Sequence, residues 1–72
     1  MPITHHVTRS SMISEVEYNS DEKLLTITFA RGNQKYNYSD VPKQIYDDLL
    51  ASDSIGKYFL ANIKDKYSTE KV

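Results

Sequence analysis

The chain contains no cysteine, which excludes disulfide staples and thiolate zinc sites as sources of stability. It has no apolar run near the ~20 residues that cross a bilayer, and its N-terminus has no hydrophobic region of signal-peptide type. Charge of one sign is also lacking: nine basic and ten acidic residues give a net charge of −1. A domain that grips nucleic acid mainly through phosphates carries a clear basic excess, so any basic surface here has to be a local patch. No internal repeat, linker or low-complexity segment is visible. These absences point to a cytoplasmic protein that depends on its apolar core alone.

What is present is aromatic. Seventy-two residues form one domain, which at this size buries only roughly 60% of its unfolded surface. Six tyrosines and two phenylalanines supply the core area efficiently, each removing about 150–250 Å² from water.

The order of elements follows from periodicity. Residues 1–8 are polar and unpatterned and read as a flexible arm; its adjacent His5 and His6 lack other spaced ligands, so no metal site is expected. From Ser11 to Asn19, Met12, Val16 and Tyr18 share parity, which predicts a half-buried strand. Ile13 breaks the alternation and predicts a bulge nearby or burial beneath the arm. Ser20-Asp21-Glu22-Lys23 is a turn by composition, and Leu24 to Arg31 is the second strand. Gly32-Asn33 predicts a two-residue hairpin loop, because both positions tolerate positive φ. That loop pairs Arg31 with Gln34, Phe29 with Tyr36 and Ile27 with Tyr38, while the first hairpin pairs Tyr18 with Leu25 and Val16 with Ile27. One sheet face then carries Val16, Tyr18, Leu25, Ile27, Phe29, Tyr36 and Tyr38, and a one-residue slip would turn all of them outward. Glu15, Glu17, Thr26, Thr28 and Asn37 occupy the opposite, polar face.

Asp40 is placed to cap a helix with Val41 and Pro42 in its first turn. Ile45 and Leu49 form its stripe, beside Tyr46 and Leu50. A second helix is predicted from Ile55 to Lys66, with Ile55, Phe59, Ile63 and Tyr67 in line. Residues 68–72 read as a tail. The expected fold is therefore α+β, a three-stranded antiparallel meander with two C-terminal helices packed on one face.

Several motifs together carry a resemblance. These are Arg9-Ser10-Ser11, the strand to Tyr18, Tyr36-x-Tyr38, Val41-Pro42 followed by Tyr46, and Ser54-x-Gly56-x-Tyr58-Phe59 followed by Ile63 and Tyr67. In order and spacing, over residues 9–67, they resemble the KTSC domain. That family is named for an extension at the C-terminus of some lysyl-tRNA synthetases, and it also occurs as stand-alone bacterial or phage proteins. The resemblance implies a small binding domain with RNA as the suggested ligand. Aminoacylation is excluded by length.

Three residue groups are candidates for contact. Tyr36 and Tyr38, two apart on a strand, match the aromatic spacing on which RNA-binding sheets stack successive bases; the hairpin register instead favours their burial beside Ile27 and Phe29. Arg9, Ser10 and Ser11 can hold a phosphate or carboxylate, or the serines can simply order the strand start. Ser54, Gly56, Lys57 and Tyr58 open the second helix, whose free amides attract anions, though Ser54 also suits a cap and Gly56 close packing. If Arg9, Ser10, Lys57 and Tyr58 converge, they form one anion site. No nucleophile–base set is held in position, so neither catalysis nor a cofactor is expected. The expected function is a non-enzymatic binding module for RNA. The alternatives are a protein-interaction module (a homodimer or a bacterial or phage effector) and a site for a small anion such as a nucleotide.

Overall fold

The structure is a computed structural model and describes residues 3–72. Its central feature is the hairpin of β2 (Ile13–Asn19) and β3 (Leu24–Phe29), in which Val16 faces Ile27 and Tyr18 faces Leu25, as the alternation required. The register shifts between Ile13 and Glu15. Ser14 is the extra residue, and this bulge turns Ile13 onto the same face as Val16, where it is fully buried. The Ser14 hydroxyl donates to the Thr28 carbonyl at 3.3 Å.

β4 (Lys35–Tyr38) pairs with β3, but Ile27 faces Tyr36 and Leu25 faces Tyr38. The expected register is therefore corrected by two residues. The connection is four residues, 30–33, closed by the Phe29 amide donating to the Gln34 carbonyl at 2.8 Å. Gly32 and Asn33 do take positive φ, 77° and 52°, but within this longer loop. A shift of two preserves parity, so Tyr36 and Tyr38 stay on the face expected for them.

Two further strands correct the three-stranded expectation. β1 (Ile3–Val7) pairs antiparallel with β2, and β5 (Thr69–Lys71) pairs antiparallel with β4, giving the order β1-β2-β3-β4-β5. Residues 3–7 are thus an edge strand rather than an arm; Met1 and Pro2 of that expected arm lie outside the described residues. Every residue of β1 and β5 is exposed. Main-chain hydrogen bonds rather than a buried stripe hold them, which is why no hydrophobic pattern announced them. His5 and His6 point to opposite faces of β1, and His5 Nε2 bonds Glu15 on the open face.

Two helices cover the other face: α1 (Lys43–Ala51) and α2 (Ile55–Asn62). Asp40 does not cap α1. It adopts φ 58°, Val41 is buried with its amide bonded to the Lys23 carbonyl at 2.9 Å, and Pro42 takes the cap position. Val41 is pinned to the β2–β3 turn and cannot join the helix. α2 ends at Asn62, not Lys66, because the chain turns through residues 63–66 with Asp65 at φ 64°.

The core joins Ile13, Val16, Tyr18, Leu25, Ile27 and Tyr38 of the sheet to Val41, Tyr46, Leu49, Phe59 and Ile63. Tyr18 ties the layers together: its ring stacks on Tyr46 at 5.2 Å, and its hydroxyl donates to the Val41 carbonyl at 2.5 Å. Removing that hydroxyl leaves a buried acceptor unpaired. Tyr18→Phe is expected to lower stability by about 1–2 kcal/mol, seen in thermal denaturation as a Tm drop of roughly 4–8 °C per kcal/mol for a domain of this size. An unchanged Tm would mean that this bond does not anchor α1.

Candidate functional site

Two concavities open at the margin between sheet and helices. The larger, a groove of about 660 Å³, has an apolar floor and walls of Met12, Phe29, Tyr36, Tyr38, Phe59 and Leu60. Ser11, Gln34 and Thr69 line it too, together with the charged Arg31, Lys64 and Asp65. The smaller, about 350 Å³, is lined by Arg9, Ser10, Ser11, Ser52, Asp53, Ser54 and Ile55. Ser11 borders both.

The groove exists because two elements stop short. β3 and β4 end in the 30–33 loop, which sets Arg31 and Gln34 at its mouth, and α2 ends at Asn62, so Lys64 and Asp65 leave the helix there. Between them the aromatic rings are braced edge to face: Phe29 with Tyr36 at 5.6 Å, Phe29 with Phe59 at 5.5 Å and Tyr38 with Phe59 at 5.5 Å. Such T-shaped contacts favour fixed ring orientations. The Tyr36 hydroxyl donates to Gln34 Oε1 at 3.4 Å, which orients the carboxamide at the mouth.

Tyr36 and Tyr38 therefore belong to the covered face, not to an open stacking platform. Tyr38 is 4% exposed and Tyr36 is half-buried, yet both line the groove. The spacing that puts Phe29 and Phe59 in the core gives Arg31 and Lys64 no part in a site. The signal available was positional: Arg31 and Gln34 flank the Gly32-Asn33 bend, and Lys64 follows closely on Leu60 at the end of α2.

Arg9, Ser10, Ser11 and Ser54 do converge, in the smaller cleft. Lys57 and Tyr58 line neither concavity, so the expected four-residue cluster is only partly formed. The serines there have structural work. Ser10 Oγ accepts from the amides of Met12 and Ile13 at 3.1 and 3.3 Å, and Thr8 Oγ1 donates to the Ile13 carbonyl, fixing the entry into β2. Ser54 caps α2 by accepting from the Lys57 amide at 3.3 Å. Gly56 is buried against this entry segment; a Cβ there would lie 3.2 Å from Met12 Sδ. Asp53 opposes the charge of Arg9 in the same cleft, which reduces its pull on anions.

Tyr58 bridges the helices instead. Burial raises its pKa above the usual value, and the charge of Asp48 on α1, the neighbouring Tyr67 and a hydrogen bond to Asp48 raise it further.

A small antiparallel sheet with two helices on one face, and an aromatic groove at its open end, defines the class. The KTSC domain model matches residues 9–67, and the chain belongs to the KTSC domain family. The crystal structure of a KTSC domain protein from Yersinia pestis superimposes with a TM-score of 0.91 at 27% identity, covering 97% of each chain. A protein of Tsukamurella paurometabola is 34% identical over 58 residues, 81% of this chain and 85% of that one. An uncharacterized protein of Stutzerimonas stutzeri is 31% identical over 51 residues, 71% of this chain and 70% of that one. No helix among the described residues is long and apolar enough to cross a membrane.

Burial is also the main cause of the raised pKa values of Tyr18, where the charge of Lys43 acts against it, and of Tyr38, where Tyr36 and Asp65 add to it. A phenol whose folded pKa lies above its unfolded value of about 10 stabilises the fold below that pH, and the stability is lost as pH rises through the folded pKa. Stability to denaturant is therefore expected to fall above about pH 10, with phenolate absorbance from these tyrosines lagging until the chain unfolds. Complete phenolate formation in a still-folded chain would contradict their burial.

Proposed function

We propose that this protein is a non-enzymatic binding module for single-stranded nucleic acid, RNA before DNA, and that it binds through the aromatic groove. The carrying observation is the joining of a floor of braced aromatic rings to Arg31 and Lys64. The half-buried rings of Phe29 and Tyr36 offer the accessible stacking surface, with Tyr38 and Phe59 buried behind them, and the cations meet the phosphate. The open sheet face is less suited. It presents Glu15, Glu17 and Glu70, in register with Thr28, Thr26 and Asn37, and of these neighbours only Lys35 beyond Thr28 is a fixed cation. A bacterial or phage protein working in a reducing cytoplasm fits this reading. RNA titrations at low salt are expected to show binding that weakens as salt rises, with Tyr36→Leu losing roughly 1–3 kcal/mol. Absence of binding at low salt, or binding indifferent to salt, would remove this reading.

A protein-interaction role is favoured by a different observation. β1 is a fully exposed edge strand that carries the exposed apolar residues Ile3 and Val7, and an unpaired edge can add a strand from a second chain. Light scattering over a concentration series then shows a dimer that Val7→Lys abolishes; a monomer at every concentration would exclude the homodimer form. The third reading, a small anion in the Arg9 cleft, has weaker support because Asp53 and the occupied Ser10 hydroxyl stand in it.

A further inference from the structure

Building on the nucleic-acid reading, we infer that the groove takes a single nucleotide unit, one base with its own phosphate, and does not track a strand.

Size sets the first bound. A groove of about 660 Å³ lies within the roughly 300–1,000 Å³ of small-molecule sites. It is open to solvent and bordered by Phe29 and Tyr36 on the sheet and by Phe59 and Leu60 on α2, a span that fits one base.

Charge sets the second. Among the groove's lining residues Arg31 and Lys64 are the cations, and Asp65 offsets one of them. That suffices for one phosphate. Among the described residues a neighbouring phosphate would find single cations rather than a second pair: Lys71, in register with Tyr36 on β5, and, past Ser11, Arg9 with Asp53 beside it, while around the sheet edge lies the face bearing Glu15, Glu17 and Glu70. Ten acidic residues against nine basic leave no extended field to hold a polyanion. The two terms thus separate: stacking supplies most of the binding, and electrostatics marks one phosphate. Gln34, whose carbonyl oxygen accepts from Tyr36, lines the groove, and its amide N–H groups are the donors the site offers to a base edge.

The test titrates the full chain, followed by backbone amide NMR shifts, with AMP, with UMP and with an unstructured single-stranded oligoribonucleotide. All three are expected to shift Phe29, Gln34, Tyr36 and Lys64, and the oligonucleotide's log–log salt dependence should have a slope of about 1, as expected for one or two single-strand phosphates. Leu60 is 49% exposed, so Leu60→Glu places a negative charge on the groove wall without disturbing the core. It should weaken every probe by about tenfold or more with an unchanged melting curve, whereas Lys57→Ala should change nothing. Mononucleotide affinity close to the oligonucleotide's is the result a single-unit site requires, and much tighter oligonucleotide binding would count against it. Oligonucleotide binding with a slope of about 4 or more, and no groove shifts from AMP or UMP, would overturn this inference while leaving the nucleic-acid reading intact. If no nucleic-acid probe shifts the groove, and an aromatic-bearing peptide alone does, both fall.

Discussion

The β2–β3 ladder is the constraint from which the rest of the molecule follows. Pairing Val16 with Ile27 and Tyr18 with Leu25 commits alternate side chains to one face, and the Ser14 bulge recruits Ile13 to it. That face is too apolar to meet water, so α1 and α2 must cover it. Tyr18 then fixes how they do so, through its stack on Tyr46 and its bond to the Val41 carbonyl. Because the hydroxyl reaches main chain just before α1, the helix cannot slide along the sheet without leaving a buried polar atom unpaired.

The groove is a consequence of that cover being incomplete. α2 ends one residue before Ile63, whose burial pulls the chain down and out of the helix, and β5 returns to pair with β4. Phe29, Tyr36 and Phe59 stand at the uncovered end, held edge to face. A fully apolar recess of this kind would favour closure; Arg31, Lys64 and Asp65 keep its rim solvated. The same geometry explains why the serines of the smaller cleft are spent on the backbone of the β2 entry and the α2 start.

The parts legible in the sequence were those with a hydrophobic period. The central hairpin, its bulge, the covered face, the Ser54 cap and the start of the α2 stripe at Ile55 and Phe59 follow from apolar spacing or side-chain capping chemistry, whereas Ile63 and Tyr67 of that stripe lie beyond the helix. The four-residue loop was misread because Gly32-Asn33 satisfies two turn types equally well at the level of φ; the parity survived because the error was even. β1 and β5 were illegible for a simpler reason: an exposed edge strand is held by main-chain bonds, which every residue offers. Asp40 looked like a cap, but the burial of Val41 decides where α1 begins, and that is a tertiary effect. The spacing of Tyr36 and Tyr38 offers only two alternatives, buried or open. A groove wall is a third condition that needs the end of α2 to be known. The expected cluster of Arg9, Ser10, Lys57 and Tyr58 is not the one that forms: Ser11 and Ser54 meet Arg9 and Ser10 in the cleft, while Lys57 and Tyr58 lie elsewhere because successive helical positions turn by about 100°.

The central claim is that the phenol rings of β4 lie between sheet and helix. Nuclear Overhauser spectroscopy on the aromatic side chains tests it most directly. Cross-peaks from Tyr38 to Phe59 and from Tyr36 to Phe29 are the expected result. Rings that instead show contacts only to Thr26, Thr28 and Asn37, on the uncovered face, would contradict the account.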